Sequence, residues 1–130
     1  MDDGPRTLGL TLCRRVVVDE RTGQPSLLEV LTGLGFEDFP TSHVEISACA
    51  ALTGTAGECK IELWVLRAAT GERVYRQSGS LIFEDRTDVL FATFRTRRLA
   101  FAFPGYYLFQ LRADGEPIPG AERWMRAFRR

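Results

Sequence analysis

His43-Val44-Glu45-Ile46-Ser47-Ala48-Cys49-Ala50-Ala51-Leu52 decides the fold class. Its even positions are apolar, while the odd positions begin with the polar His43, Glu45 and Ser47 and turn apolar later. Side chains along a strand point to alternate faces, so this rhythm predicts a strand with one face on a core. Cys59-Lys60-Ile61-Glu62-Leu63-Trp64-Val65-Leu66 repeats it with the odd positions apolar and Lys60 and Glu62 facing out. Ala69-Thr70-Gly71-Glu72 then predicts a hairpin turn into Val74-Tyr75-Arg76 and on to Leu81-Ile82-Phe83.

Toward the N-terminus, Leu8, Leu10 and Leu12 alternate with Gly9, Thr11 and Cys13, and Val16-Val17-Val18 follows. Asp19 to Pro25 predicts a turn in which Gly23 is free to take positive φ. Ser26 to Phe36 carries leucines that also fit a helical face. Val30, Thr32, Gly33 and Gly35 oppose a helix, with each glycine costing about 1 kcal/mol in a helix interior, so a strand is expected. Toward the C-terminus, Leu90, Ala92 and Phe94 share one face, but after Arg97-Arg98 the apolar phase shifts to Leu99, Phe101 and Phe103. A parity change requires an inserted residue or a break, so a bulge or interruption is expected near Arg97. Pro104-Gly105 turns the chain, Tyr107, Phe109 and Leu111 point one way, and Asp114-Gly115 is a hairpin signal. Glu122 to Phe128 would be the closing strand.

These patterns predict an all-β fold. It is expected to be a single immunoglobulin-like β-sandwich of seven to eight antiparallel strands, with a small closed β-barrel as the alternative. The chain has 130 residues, the size of one domain, so residues 1–130 are read as one sandwich with residues 1–6 as a flexible N-terminus. A domain of this length buries enough surface to need no covalent or metal staple.

Leu10-x-Leu12-Cys13-x-x-Val16-x-x-Asp19-x-x-Thr22-Gly23-x-x-Ser26-Leu27, followed by Gly33 and Phe39-Pro40, resembles the opening of a small bacterial domain family of unknown function. Phe103-Pro104-Gly105-x-Tyr107-x-Phe109-x-Leu111-x-x-Asp114-Gly115 looks like that family's C-terminal hairpin. The resemblance implies an immunoglobulin-like fold and no assigned activity or site. The Arg-rich end, Arg123 to Arg130, lies outside the pattern.

Formal net charge is zero, which removes the long-range attraction to nucleic acid or anionic membrane that a basic protein has. Met1-Asp2-Asp3-Gly4-Pro5 opens with acid rather than the basic, then apolar, start of a secretory signal. No stretch reaches the roughly 20 apolar residues that span a bilayer. A cytoplasmic protein is expected. All basic residues but Lys60 are arginine, as in a GC-rich bacterial coding sequence. The three cysteines, Cys13, Cys49 and Cys59, are odd in number and widely spaced, unlike a secreted disulfide framework.

Chemistry has few carriers. His43 is the only histidine, so a Ser–His–Asp or Cys–His mechanism would have to run through it, and its place at a strand start predicts a solvent-facing polar residue. The three cysteines and His43 lack the close C-x-x-C pairing of structural zinc, so no metal is expected. Asp19-Glu20, Glu37-Asp38 and Glu84-Asp85 with Asp88 are expected to be loop charge. The last group lacks the calcium-loop ligand series. No phosphate-binding or nucleophile-elbow motif is present, so no cofactor and no enzyme activity are expected.

Charge placement departs from this blandness. Arg95 to Arg130 holds eight arginines against Asp114, Glu116 and Glu122. Arg95, Arg97, Arg98, Trp124, Arg126 and Phe128 are therefore the candidate surface. Arginine mixed with aromatics is enriched at the energetic centres of protein interfaces. A non-catalytic module that binds a protein or pairs with itself is expected. Single-stranded nucleic-acid binding through the same residues is the alternative, and small-ligand binding or hydrolysis has no residue support.

Overall fold

The computed structural model describes residues 4–130, and every regular element among them is a strand. The strands are β1 (Arg6–Val18), β2 (Pro25–Val30), β3 (Gly33–Phe36), β4 (Ser47–Thr53), β5 (Gly57–Arg67), β6 (Arg73–Phe83), β7 (Leu90–Arg95), β8 (Gly105–Ala113) and β9 (Glu116–Arg129). They form two sheets, a four-stranded β2-β1-β4-β7 and a five-stranded β3-β9-β8-β5-β6. No ladder among the described residues joins the sheets into a ring, so the arrangement is a sandwich rather than a closed barrel. Residues 1–3, half of the expected flexible N-terminus, lie outside the described residues. Arg6 already opens β1.

Two expectations need correction. There are nine strands rather than seven to eight, and one pair is parallel: β3 runs alongside β9, with Gly33 opposite Arg126 and Phe36 opposite Arg129. Both differences have one cause. The segment expected as a single strand over 26–36 changes sheets at Leu31-Thr32. The Leu31 N–H bonds to the Leu12 carbonyl of β1 at 2.8 Å, while the Thr32 carbonyl accepts from the Arg126 N–H of β9 at 3.2 Å. Buried Leu31 fills the crossing point, and β2 and β3 end up in opposite layers.

The core lies between the layers. Leu10, Leu12, Ala48, Ala50 and Leu52 face Ile61, Leu63, Val65, Phe109, Leu111 and Met125, all buried. Each large aliphatic or aromatic side chain buried this way contributes about 1.5–3 kcal/mol, so the alternation read from the sequence is also the main driving force. At one end the rings of Phe36, Phe101 and Tyr107 stack in series, with centroids 6.0 and 4.4 Å apart.

The parity change near Arg97 is a strand end. β7 stops at Arg95, and the buried Thr96 hydroxyl accepts from the Ile46 N–H at 2.9 Å while donating to the Val44 carbonyl at 2.8 Å. That side chain replaces the ladder for one step, and an isolated Val44–Leu99 bridge restarts it in the other phase. The Asp114-Gly115 hairpin forms as its sequence demands, with both residues at positive φ, 48° and 88°.

Candidate functional site

Alternation along β9 sorts its side chains. Met125 and Ala127 go into the core, leaving Trp124, Arg126 and Phe128 on the outer face of the five-stranded sheet. The hairpin register sets Leu108 opposite Trp124 and Tyr106 opposite Arg126. Trp124 is 55% exposed and Tyr106 56%, so two aromatic side chains occupy diagonal positions on an open sheet surface, each next to Arg126 in the register. Arg126 lies over the Phe128 ring, 5.5 Å from its centroid.

The same face continues across β8 and β5 as a ladder of stacked and bonded side chains. Trp64 is sandwiched between Arg73 and Arg112, with their guanidinium carbons 4.6 and 3.8 Å from its ring. Arg112 donates to Gln110, and Gln110 donates to Glu122, each at 2.9 Å. Buried Glu62 accepts from Arg76 and from Ser78. Burial works against the charged form of Glu62, but the hydrogen bond and charge of Arg76, with help from Lys60, outweigh it and hold the carboxyl below its ordinary range. Among the described residues Arg73, Arg112 and Arg126 have no carboxylate within ion-pair distance.

The other half of the candidate surface sits elsewhere. Arg95 ends β7, in the four-stranded sheet, and pairs with Glu45 at 2.8 Å, which holds the Glu45 carboxyl below its usual range. Arg97 and Arg98 follow in the exposed bend, and the Arg97 N–H bonds to the Tyr75 hydroxyl of β6. β6 is separated from β9 by β8 and β5, a span of about 14 Å at ordinary strand spacing. The six residues therefore form two clusters: Trp124, Arg126 and Phe128 at one side, Arg95, Arg97 and Arg98 beyond the opposite edge.

Tyr106 and Leu108 were not singled out from the sequence. The inward phase of Tyr107, Phe109 and Leu111 already implies that 106 and 108 point outward. Only the hairpin register shows that they meet Arg126 and Trp124.

No protein-family model matches the chain, and no curated protein matches it.

The remaining reactive side chains are scattered over both sheets and their loops. His43 is exposed on a shallow surface with Arg14, Arg15, Glu29, Glu45 and Arg95, and among the described residues it makes no hydrogen bond to a serine, cysteine or carboxylate. Cys13, Cys49 and Cys59 are free and buried. Burial, with the Asp114 carboxylate beside it, pushes the Cys59 thiol up to about 11, and burial, with Cys49 nearby, raises Cys13. Such thiols are poor nucleophiles and poor metal ligands at neutral pH. In the Glu84–Asp88 loop the carboxylates serve the backbone: Asp88 accepts from the N–H groups of Glu84 and Asp85, and Asp85 accepts from Thr87. Among the described residues no three His, Cys, Asp or Glu side chains converge as metal ligands, and no helix is long and apolar enough to cross a membrane.

Proposed function

We propose that the chain is a non-catalytic protein-interaction module with immunoglobulin-like topology, working in a bacterial cytoplasm and meeting its partner on the outer face of the five-stranded sheet. One observation carries the reading: Trp124 and Tyr106, each more than half exposed, flank Arg126 on one open surface. Exposed aromatics with arginine are the side chains that dominate interface energetics, because they bury large area at little entropy cost. The guanidiniums of Arg73, Arg112 and Arg126 rest on rings without a carboxylate partner, so the surface complements a protein segment that carries Asp or Glu.

Support for the immunoglobulin-like part comes from β8. Tyr107, buried near the start of that strand, donates its hydroxyl to the Phe103 carbonyl four residues upstream at 2.7 Å, as in the tyrosine corner of such sandwiches. The inter-sheet disulfide of antibody domains has no counterpart, since all three cysteines are free. Free thiols suit a reducing compartment.

The test is capture from a bacterial lysate, followed by titration of each captured protein, purified, against the wild-type chain and a Trp124→Ala/Arg126→Glu variant. The variant should lose affinity by about tenfold or more. A partner that binds both equally overturns the reading. So does binding of single-stranded RNA that weakens steeply with salt and is lost in the variant, because that is the signature of phosphate contacts.

A further inference from the structure

The sandwich leaves four strands at sheet edges: β2, β3, β6 and β7. A free edge presents unpaired N–H and C=O groups, and natural sandwiches guard it with charge, proline, irregular backbone or brevity. Three edges here are guarded. β3 has four residues, β2 has six with Pro25 at its start and Glu29 kinked at φ 58°, and β7 has six ending in Arg95. β6 has eleven residues and pairs only with β5. Its stretch Gln77-Ser78-Gly79-Ser80-Leu81-Ile82-Phe83 holds neither charge nor proline. Ser78, Gly79 and Ser80 are exposed, and Ile82 is 67% exposed although strongly apolar.

We propose that β6 is the dimerisation edge of this protein, pairing antiparallel with β6 of a second copy about a two-fold axis at Ser80. The register follows from the sequence. The uncharged heptad is centred on Ser80, so in this alignment Ser78 meets Ile82 of the second copy, Gly79 meets Leu81 and Gln77 meets Phe83. The flanking residues then oppose each other in sign, because Arg76 at one end of the heptad, whose Nε–H already bonds to Glu62 of its own chain, faces Glu84 at the other end of the partner's. Both are exposed, Arg76 within β6 and Glu84 in the bend that follows it. Centring on Ser78 or Gly79 instead sets Arg76 against Ser80 or Ile82 and loses that match. An exposed ion pair adds little affinity. Its role here is to fix register, while the main-chain ladder and the cover given to Ile82 supply the attraction. The contact is isologous and closes on itself, giving two copies a continuous ten-stranded sheet from two of five. Strand β6 contributes Arg73 to the outer face, but its pairing edge lies three strands from Trp124, and the Trp124→Ala/Arg126→Glu variant tells the two readings apart.

Ser80→Glu and Ser80→Lys test the axis. Each variant opposes like charges directly across it, on an exposed position of the monomer, and Ser80→Glu faces Lys60 within its own chain. By sedimentation equilibrium the wild type should show a reversible monomer–dimer equilibrium, each variant should associate about fivefold more weakly, and an equimolar mixture of the two should recover association. Ser80→Cys should form an interchain disulfide under mild oxidation, and Thr87→Cys should not. Trp124→Ala/Arg126→Glu should dimerise like the wild type. A wild-type chain that stays monomeric at near-millimolar concentration overturns the proposal. Charge variants that dimerise unchanged, or a dimer in which Ser80→Cys fails to cross-link, also overturn it.

Discussion

Phe128 lays its ring against Gly35: a Cβ at Gly35 would stand 2.8 Å from Phe128 Cε2, closer than real Cβ atoms approach. A Cβ at Gly33 would also meet the Arg126 carbonyl at 3.0 Å and the same ring at 3.6 Å. The two glycines that argue against a helix in the sequence are thus the bed on which an aromatic of the parallel neighbour rests.

Gly35→Ala is expected to cost about 1–3 kcal/mol, the range for forcing extra volume into a packed contact. Most of that cost should vanish when Phe128→Ala is present. Urea unfolding of the four members of this double-mutant cycle measures the coupling, and additive costs would contradict the contact.

Thr96 is fully buried and bonds two main-chain groups of the segment before β4. Thr96→Val keeps the shape and strands both the Ile46 N–H and the Val44 carbonyl. The expected loss is about 2–4 kcal/mol, larger than for a surface threonine, and denaturant unfolding reads it directly.

Tyr107→Phe removes the hydroxyl that holds the Phe103 carbonyl and leaves the buried ring in place. A loss of about 1 kcal/mol is expected, with the strand content by circular dichroism unchanged.

Glu62 links stability to pH. Its folded-state carboxyl lies below the ordinary value of 4.5, so the ionised form is favoured by folding. The contribution is complete above about pH 4.5 and fades as pH falls through the lower folded value. Glu62→Gln should therefore be less stable than the wild type at pH 7, and the gap should narrow in acid. A gap that stays constant from pH 7 to 3 would contradict the Arg76 pairing as its source.

Thiol reactivity separates the folded from the unfolded chain. With all three cysteines buried, and Cys59 at about 11, a disulfide thiol probe at pH 8 should label none of them rapidly in the native protein and all three in denaturant. Rapid labelling of one thiol in native buffer would mark a local opening at that strand.

The sequence by itself determined what depends on near neighbours along the chain. Period-two alternation at 59–66 assigns a strand and its inward residues, because the pleat sends successive side chains to opposite faces, whereas of the strand expected over 43–52 only the part from Ser47 forms β4 and Val44 makes an isolated bridge to Leu99. Asp114-Gly115 fixes its own hairpin, because both residues accept positive φ. The phase shift after Arg97 marks the end of β7. That Trp124, Arg126 and Phe128 share a face was legible for the same reason, since they have one parity on one strand. Tertiary structure alone decided which strands become neighbours. The alternation of Leu34 and Phe36 says nothing of β9, yet the crossing at Leu31-Thr32 carries β3 into the other sheet to pair with it in parallel. Arg95, Arg97 and Arg98 part from Trp124 because β7 and β9 belong to different sheets. Tyr106 joins Arg126 only through the β8–β9 register. Hydrogen bonding between strands and burial between layers are long-range, and a local two-residue rhythm carries no record of the partner.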